Sequence, residues 1–128
     1  MSNRILLADT DKKNLAVLSS LIEEMYDIRP SICYGLTDSF YGFVNDTSDS
    51  TILIRIDDPL IQGVEMSRQA RSYYPVIQVV WMSVSEGYAI DAFPQGVDAY
   101  LLLPATRKKM DAVMEALKFK RRRCEDTG

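Results

Sequence analysis

The 128-residue sequence predicts an α/β domain in which helices cover both faces of a doubly wound, five-stranded parallel sheet. Five short apolar runs are each followed by a segment in which apolar residues recur at helical spacing. This strict alternation favours parallel strands joined by right-handed crossovers. The chain length suits one domain, and a 47% apolar share supplies a core, so wholesale disorder is ruled out.

The first half of the chain predicts three strands and two helices. The first strand is the apolar run 5–8, and Asp11 follows it as a helix N-cap. The helix itself is indicated by Leu15, Val17, Leu18, Leu21, Ile22 and Met25, which recur every three or four residues. Residues 31–34 predict the second strand, Thr37 or Asp38 begins a short helix to about residue 44, and residues 51–56 predict the third strand.

The second half predicts a helix over 64–73 and a fourth strand over 76–81, which Pro75 opens. Ser83 or Ser85 caps the next helix, and Pro94 interrupts it. A fifth strand covers 99–103, and the last helix begins near Thr106. At this size the flavodoxin-like strand order is the natural arrangement, and its binding sites lie at the carboxyl ends of the strands.

Composition excludes several kinds of chemistry. The chain has no histidine, which removes Ser-His and Cys-His catalysis and most zinc sites, so we expect no enzyme and no cofactor. Two cysteines, Cys33 and Cys124, cannot form a disulfide framework, so a reducing, cytoplasmic setting is expected. No apolar run approaches the length of a membrane span, and no signal peptide is apparent.

Charged side chains are predicted to meet at the carboxyl edge of the sheet. Asp9 and Asp11 follow the first strand, and Arg55 ends the third strand, which is its neighbour in the inferred order. A buried guanidinium cannot shed its charge and needs a carboxylate partner. We therefore expect Arg55 to act as a built-in counter-ion for the two aspartates; the alternative is that its head group reaches solvent.

Three segments of the chain resemble the receiver domain of bacterial two-component response regulators, the CheY-like family. They are residues 4–11, which form the first strand and the acidic motif that follows it, residues 59–65 in the loop and helix start after the phosphoacceptor position, and residues 96–104 across the fifth strand. The resemblance covers nearly the whole chain and implies the same architecture of five consecutive strand-helix units. It also implies a role in two-component signal transduction.

The residues that carry phosphotransfer in the family are nevertheless replaced. Counting back from Pro59 and Gly63 places Arg55 at the phosphoacceptor position. Asp9 is retained, but Thr10 stands for the second acid, and Leu103 stands for the lysine before Pro104. The hydroxyl position of the fourth strand falls on Val80 or Trp81, and neither can serve. The resemblance thus implies an atypical pseudo-receiver without metal, with Asp9 and Asp11 at most vestigial ligands, which signals independently of phosphorylation.

Protein contact is the expected mode of action. In the family, the face of helix 4, strand 5 and helix 5 binds partners, and here it would carry Tyr88, Phe93, Tyr100 and Lys108. The expected partner is a second copy of the chain, another protein, or an output domain fused after residue 128. Residues 1–123 are interpreted as the domain and 124–128 as a tail or the start of a linker. For Tyr100 we expect a solvated hydroxyl, because no hydroxyl partner is predicted on strand four.

Three alternatives stay open from the sequence. Asp57 or Asp58 could be phosphorylated, although their spacing to Pro59 differs from the family's. A small-molecule-binding flavodoxin-like domain would need a phosphate-cradling loop after strand one, where this chain has carboxylates. The basic cluster at the end, Lys118, Lys120, Arg121, Arg122 and Arg123, could contact DNA, but a solvated helix end is the simpler interpretation.

Overall fold

The computed structural model describes residues 4–46 and 49–117 of the chain. Within these residues five parallel strands form one sheet in the order β2-β1-β3-β4-β5, which confirms the predicted fold class. The strands are β1 Arg4–Ala8, β2 Ser31–Cys33, β3 Ser50–Arg55, β4 Gln78–Ser83 and β5 Ala99–Leu102. The helices are α1 Lys12–Tyr26, α2 Asp38–Val44, α3 Gly63–Tyr73, α4 Ala89–Ala92 and α5 Arg107–Ala116.

The core lies in two layers because side chains of a strand alternate between the faces of the sheet. One layer joins the sheet to α1 and α5, and it includes Leu7, Leu53, Leu18, Met110 and Val113. The other joins the sheet to α2 and α3, and it includes Leu6, Ile54, Phe40, Met66 and Trp81. Each fully buried side chain of this size contributes roughly 1.5–3 kcal/mol to folding.

Local capping signals place the helices as the sequence predicts. The Asp11 carboxylate accepts hydrogen bonds from Lys13 N and Asn14 N, and Thr106 Oγ1 accepts one from Lys109 N. The segment before β5 is irregular, with single 3₁₀ turns on both sides of α4, and it ends at Gly96, whose φ of +78° suits glycine. No helix in the described ranges is both long and apolar enough to cross a membrane.

Strand β4 begins two residues later than the sequence predicts. Pro75 and Val76 form a turn in which Val76 is exposed, and Ile77 N donates a hydrogen bond to Tyr74 O. The end of the strand is also two residues later, at Ser83 instead of Trp81. Because the binding edge is defined by strand ends, this shift changes which residues of β4 reach it.

The expectation that Val80 and Trp81 line the pocket is therefore wrong. Val80 is fully buried against α1 and α5, beyond reach of the carboxyl edge of the sheet. Trp81 is buried in the opposite layer, where its indole Nε1 donates a hydrogen bond to Ser67 Oγ at 2.9 Å. Ser67 Oγ in turn donates to Gly63 O at 2.7 Å, so the indole is tied to the first turn of α3.

Candidate functional site

Arg55, the last residue of β3, lies among three carboxylates at the carboxyl edge of the sheet. Its Nη1 is 3.1 Å from Asp9 Oδ2 and 3.7 Å from Asp11 Oδ2, and its Nε is 2.5 Å from Asp57 Oδ1. Only 14% of the Arg55 side chain is exposed. The ion pairs expected with Asp9 and Asp11 are thus present, and Asp57 adds a third partner.

Burial alone would favour the neutral guanidine and lower the pKa of Arg55. The hydrogen bond to Asp57 and the negative charges of Asp9 and Asp57 outweigh this effect, so the pKa is raised above its ordinary value. Arg55 therefore carries a fixed positive charge inside the pocket at any physiological pH.

Asp9 has all its acceptor positions used within the chain. Its Oδ1 accepts from the backbone N–H groups of Thr10 and Asp11 at 2.7 and 3.1 Å. Its Oδ2 accepts from Asn14 Nδ2 at 2.7 Å as well as from Arg55. The Asp9 side chain is 1% exposed, and these four donors supply what water would otherwise provide. Asn14 was missed in the sequence because its amide reaches the site from the exposed first turn of α1.

Asp57 is the residue that sequence reasoning underestimated most. Its Oδ1 accepts from Arg55 Nε, while its Oδ2 accepts from Ser83 Oγ at 2.8 Å and from Val84 N at 3.2 Å. Burial opposes ionisation, but the hydrogen bonds from Ser83, Val84 and Arg55 outweigh it and lower the pKa of Asp57 below its usual value. The two-residue spacing from Arg55 was the one signal in the sequence that could have indicated this pairing.

Ser83 supplies a hydroxyl at the end of β4, whereas the sequence prediction placed this position on Val80 or Trp81 and expected no hydroxyl there. It is fully buried at the end of β4, where its Oγ donates to Asp57 and accepts from Ser85 N at 3.0 Å. The strand-four hydroxyl is thus present, in correction of the expectation that this chain lacks one.

Thr10 and Asp58 form a second polar contact beside this cluster. Thr10 Oγ1 donates a short hydrogen bond to Asp58 Oδ2, and Asp58 Oδ1 accepts from Leu60 N at 2.9 Å. Asp58 therefore ties the loop after β3 to the loop after β1. Its contacts are separate from those that Arg55 makes.

An apolar wall borders the pocket on the side of β5. Leu103 is buried, its N–H donates to Ser83 O at 2.7 Å, and its peptide bond with Pro104 is cis. A cavity of about 280 Å³ lies here, lined by Arg55, Asp11, Leu103, Pro104 and others. The side chain at position 103 brings no charge to this wall.

The hydroxyl of Tyr100 has a partner, which corrects the expectation of a merely solvated group. It donates a hydrogen bond to Ser85 O at 2.6 Å, just beyond the end of β4. Burial raises the pKa of Tyr100, and the charges of Asp57 and Glu86 add to this. Tyr100 is therefore connected to the pocket through Ser83 and Ser85.

The predicted interaction face is in part exposed. Tyr88 is 40% exposed beside α4, and Lys108 is exposed in the first turn of α5. The structure adds the neighbouring apolar residues Val84 and Ile90, of which Ile90 is 82% exposed. The side chain of Phe93, the basic cluster 118–123 and Cys124 lie outside the part of the chain that the structure describes.

Magnesium, which receiver domains use, does not fit the residues of this pocket. The positive guanidinium of Arg55 occupies the space between Asp9, Asp11 and Asp57. A divalent cation placed there would meet a like charge at close range. Within residues 4–46 and 49–117 no group of three acidic, histidine or cysteine side chains is arranged to hold a metal ion.

Comparison with solved structures identifies the fold as that of receiver domains. A two-component response regulator from Clostridium difficile is 22% identical, with a TM-score of 0.74 over 91% of this chain and 97% of that chain. A response regulator receiver domain protein from Clostridium thermocellum is 19% identical, with a TM-score of 0.76 over 91% and 95%. No protein-family model matches the sequence, and no curated protein sequence matches it.

A third similar structure is informative about the pocket. The receiver domain of a sensor histidine kinase from Pseudomonas aeruginosa is 15% identical, with a TM-score of 0.75 over 92% of this chain and 99% of that chain. Its structure has a magnesium ion coordinated in the active site cleft. At these identities the likeness establishes that the chain has the receiver fold.

Proposed function

We propose that the chain is a pseudo-receiver, a signalling module of the response regulator type that works without phosphorylation. The observation that carries this proposal is the position of Arg55, which ends β3 and forms ion pairs with Asp9, Asp11 and Asp57. A guanidinium is always charged and has no lone pair to offer, so it cannot accept a phosphoryl group as a carboxylate does.

Two further features support the loss of phosphotransfer. The Pseudomonas aeruginosa receiver domain holds magnesium in its cleft, whereas here Arg55 neutralises the carboxylates from within the chain. Leu103, buried at the end of β5, provides no positive charge that could hold phosphoryl oxygens. The pocket thus has its own cation and no means of responding to an added one.

The alternative acceptors have weaker support. Both oxygens of Asp57 accept hydrogen bonds from Arg55, Ser83 and Val84, which withdraws their lone pairs from attack. Asp58 is bonded to Thr10 and to Leu60 N. In a flavodoxin-like site the phosphate would lie beside the carboxylates that follow β1, and their negative charges would repel it.

We predict that the protein neither binds a phosphoryl analogue nor accepts phosphate. Titration with beryllofluoride and Mg²⁺ is expected to give no heat of binding, and acetyl phosphate no phosphoprotein by intact mass. The Asp57→Asn and Asp58→Asn variants serve as controls, since a phosphoprotein that disappears in one of them identifies that residue as the acceptor. Stoichiometric, Mg²⁺-dependent binding by the wild-type protein would contradict the proposal.

We propose further that the module acts by protein contact and forms a homodimer through the face of α4, β5 and α5. Val84, Tyr88 and Ile90 give this face exposed apolar area beside Tyr100. Such area is typical of a contact surface, because exposed apolar patches are otherwise small on soluble domains.

We expect sedimentation equilibrium to show a dimer, and Ile90→Asp to weaken it at least tenfold, or by about 1.4 kcal/mol. The buried carboxylate would cost this much in an apolar contact. Val76→Asp is the matched control, because Val76 is also exposed, at 71%, but lies just before the first residue of β4, at the end of the strand away from the proposed contact face. A monomer at all concentrations, or an equal effect of both variants, would argue against this face.

A further inference from the structure

The carboxylate of Asp57 is held by donors from two different parts of the chain. Arg55 Nε approaches Oδ1 at 2.5 Å, and Ser83 Oγ and Val84 N approach Oδ2 at 2.8 and 3.2 Å. A guanidinium, a hydroxyl and a backbone amide are the kinds of donor that bind negative oxygens. Because Ser83 is fully buried at the strand end, its position is fixed by the sheet.

Ser83 also connects this carboxylate to the segment before α4 through further hydrogen bonds. Ser83 Oγ accepts from Ser85 N at 3.0 Å, and Ser85 Oγ accepts from Gly87 N at 3.0 Å. Ser85 O accepts from the Tyr100 hydroxyl at 2.6 Å. A continuous chain of hydrogen bonds thus runs from Asp57 to Tyr100 on the proposed contact face.

We propose that Arg55 Nε, Ser83 Oγ and Val84 N form a binding site for one small carboxylate, which Asp57 fills from within the chain. Its occupation fixes residues 83–87 and, through Ser85, the hydroxyl of Tyr100. Asp57 thereby holds the pocket in one state. The part that this state plays in signalling rests on the proposed function. Asp58, although adjacent, is not an occupant, because its oxygens bind Thr10 and Leu60 N.

The test is chemical rescue of Asp57→Ala by formate, a free carboxylate of the size that the substitution removes. We expect amide hydrogen exchange at Val84, followed by NMR, to become roughly tenfold faster in Asp57→Ala, because its acceptor is lost. Formate is expected to restore most of the protection, and sodium chloride at the same ionic strength to restore none.

Asp58→Ala is the matched control, since it removes a neighbouring carboxylate outside the site; its Val84 exchange should stay within twofold of wild type. Asp57→Asn fills the same space, so formate should leave its exchange unchanged, and it serves if Asp57→Ala does not fold. Wild-type exchange rates in Asp57→Ala, or fast exchange that formate does not slow, would overturn the inference. Because no phosphoryl group or magnesium is used, this result is independent of whether the wild-type protein takes up phosphate.

Discussion

Replacing Arg55 by glutamine is expected to destabilise the protein by about 3–5 kcal/mol at pH 7, the usual cost of removing one partner from a buried ion pair. The substitution leaves Asp9, which is 1% exposed, and Asp57, which is 15% exposed, as neighbouring negative charges without a cation. Magnesium should then stabilise the variant, because the ion binds the folded state and can replace the missing charge. The wild-type protein should show no such stabilisation.

The loss should shrink as the pH falls. Asp57 has a lowered pKa in the folded wild-type protein, so its contribution to stability is complete above the ordinary value of 3.8 and disappears as the pH drops through the lowered pKa. In Arg55→Gln the repulsion between the carboxylates is relieved once Asp57 is protonated. The difference between the two proteins is therefore greatest near neutral pH and decreases as the pH falls below 3.8 and through the lowered pKa of Asp57.

Urea unfolding followed by the fluorescence of the single tryptophan, with and without Mg²⁺, measures both effects. Arg68→Gln is the control, because Arg68 forms an exposed pair with Glu65 on α3, and its loss should leave the free energy of unfolding close to the wild-type value. If Arg55→Gln is as stable as Arg68→Gln at neutral pH, the ion pairs of Arg55 do not stabilise the fold.

The order of elements could be predicted because apolar periodicity and capping residues repeat along the chain. Asp11 and Thr106 begin α1 and α5 as predicted, and the alternation of strands and helices specifies the parallel sheet. The position of Arg55 could also be predicted, because the strand pattern ends near it and the resemblance to receiver domains places it four residues before Pro59 and eight before Gly63. These features depend on residues close together in the sequence.

The remainder of the site depends on contacts that local patterns do not encode. The run 76–81 is apolar except for Gln78, and this one polar residue does not show where β4 begins, so the shift by two residues concealed Ser83. The bonds from Ser83 and Val84 to Asp57 join residues about 26 positions apart. Whether an aspartate in a loop before proline is solvated or held depends on such distant donors.

Phosphotransfer should be recoverable by reversing the substitutions that replaced it. In Arg55→Asp/Leu103→Lys, a carboxylate stands at the end of β3 and a cation at the end of β5, and Asp9, freed from Arg55, becomes available to bind magnesium. We nevertheless expect this double variant to react poorly with acetyl phosphate. Asp57 would still occupy Ser83 Oγ and Val84 N, and its charge would repel the incoming phosphoryl group.

Adding Asp57→Asn to the double variant should raise phosphorylation from traces to a stoichiometric, Mg²⁺-dependent product. The phosphoryl group passes from acetyl phosphate to the introduced carboxylate at position 55, and acetate leaves. Intact mass spectrometry detects the product, and Arg55→Asn/Leu103→Lys/Asp57→Asn is the control without a nucleophile. If the folded triple variant binds Mg²⁺ but stays unmodified, substitutions other than those at positions 55, 57 and 103 silence this pocket. If the double variant alone reacts fully, the Asp57 carboxylate does not obstruct it.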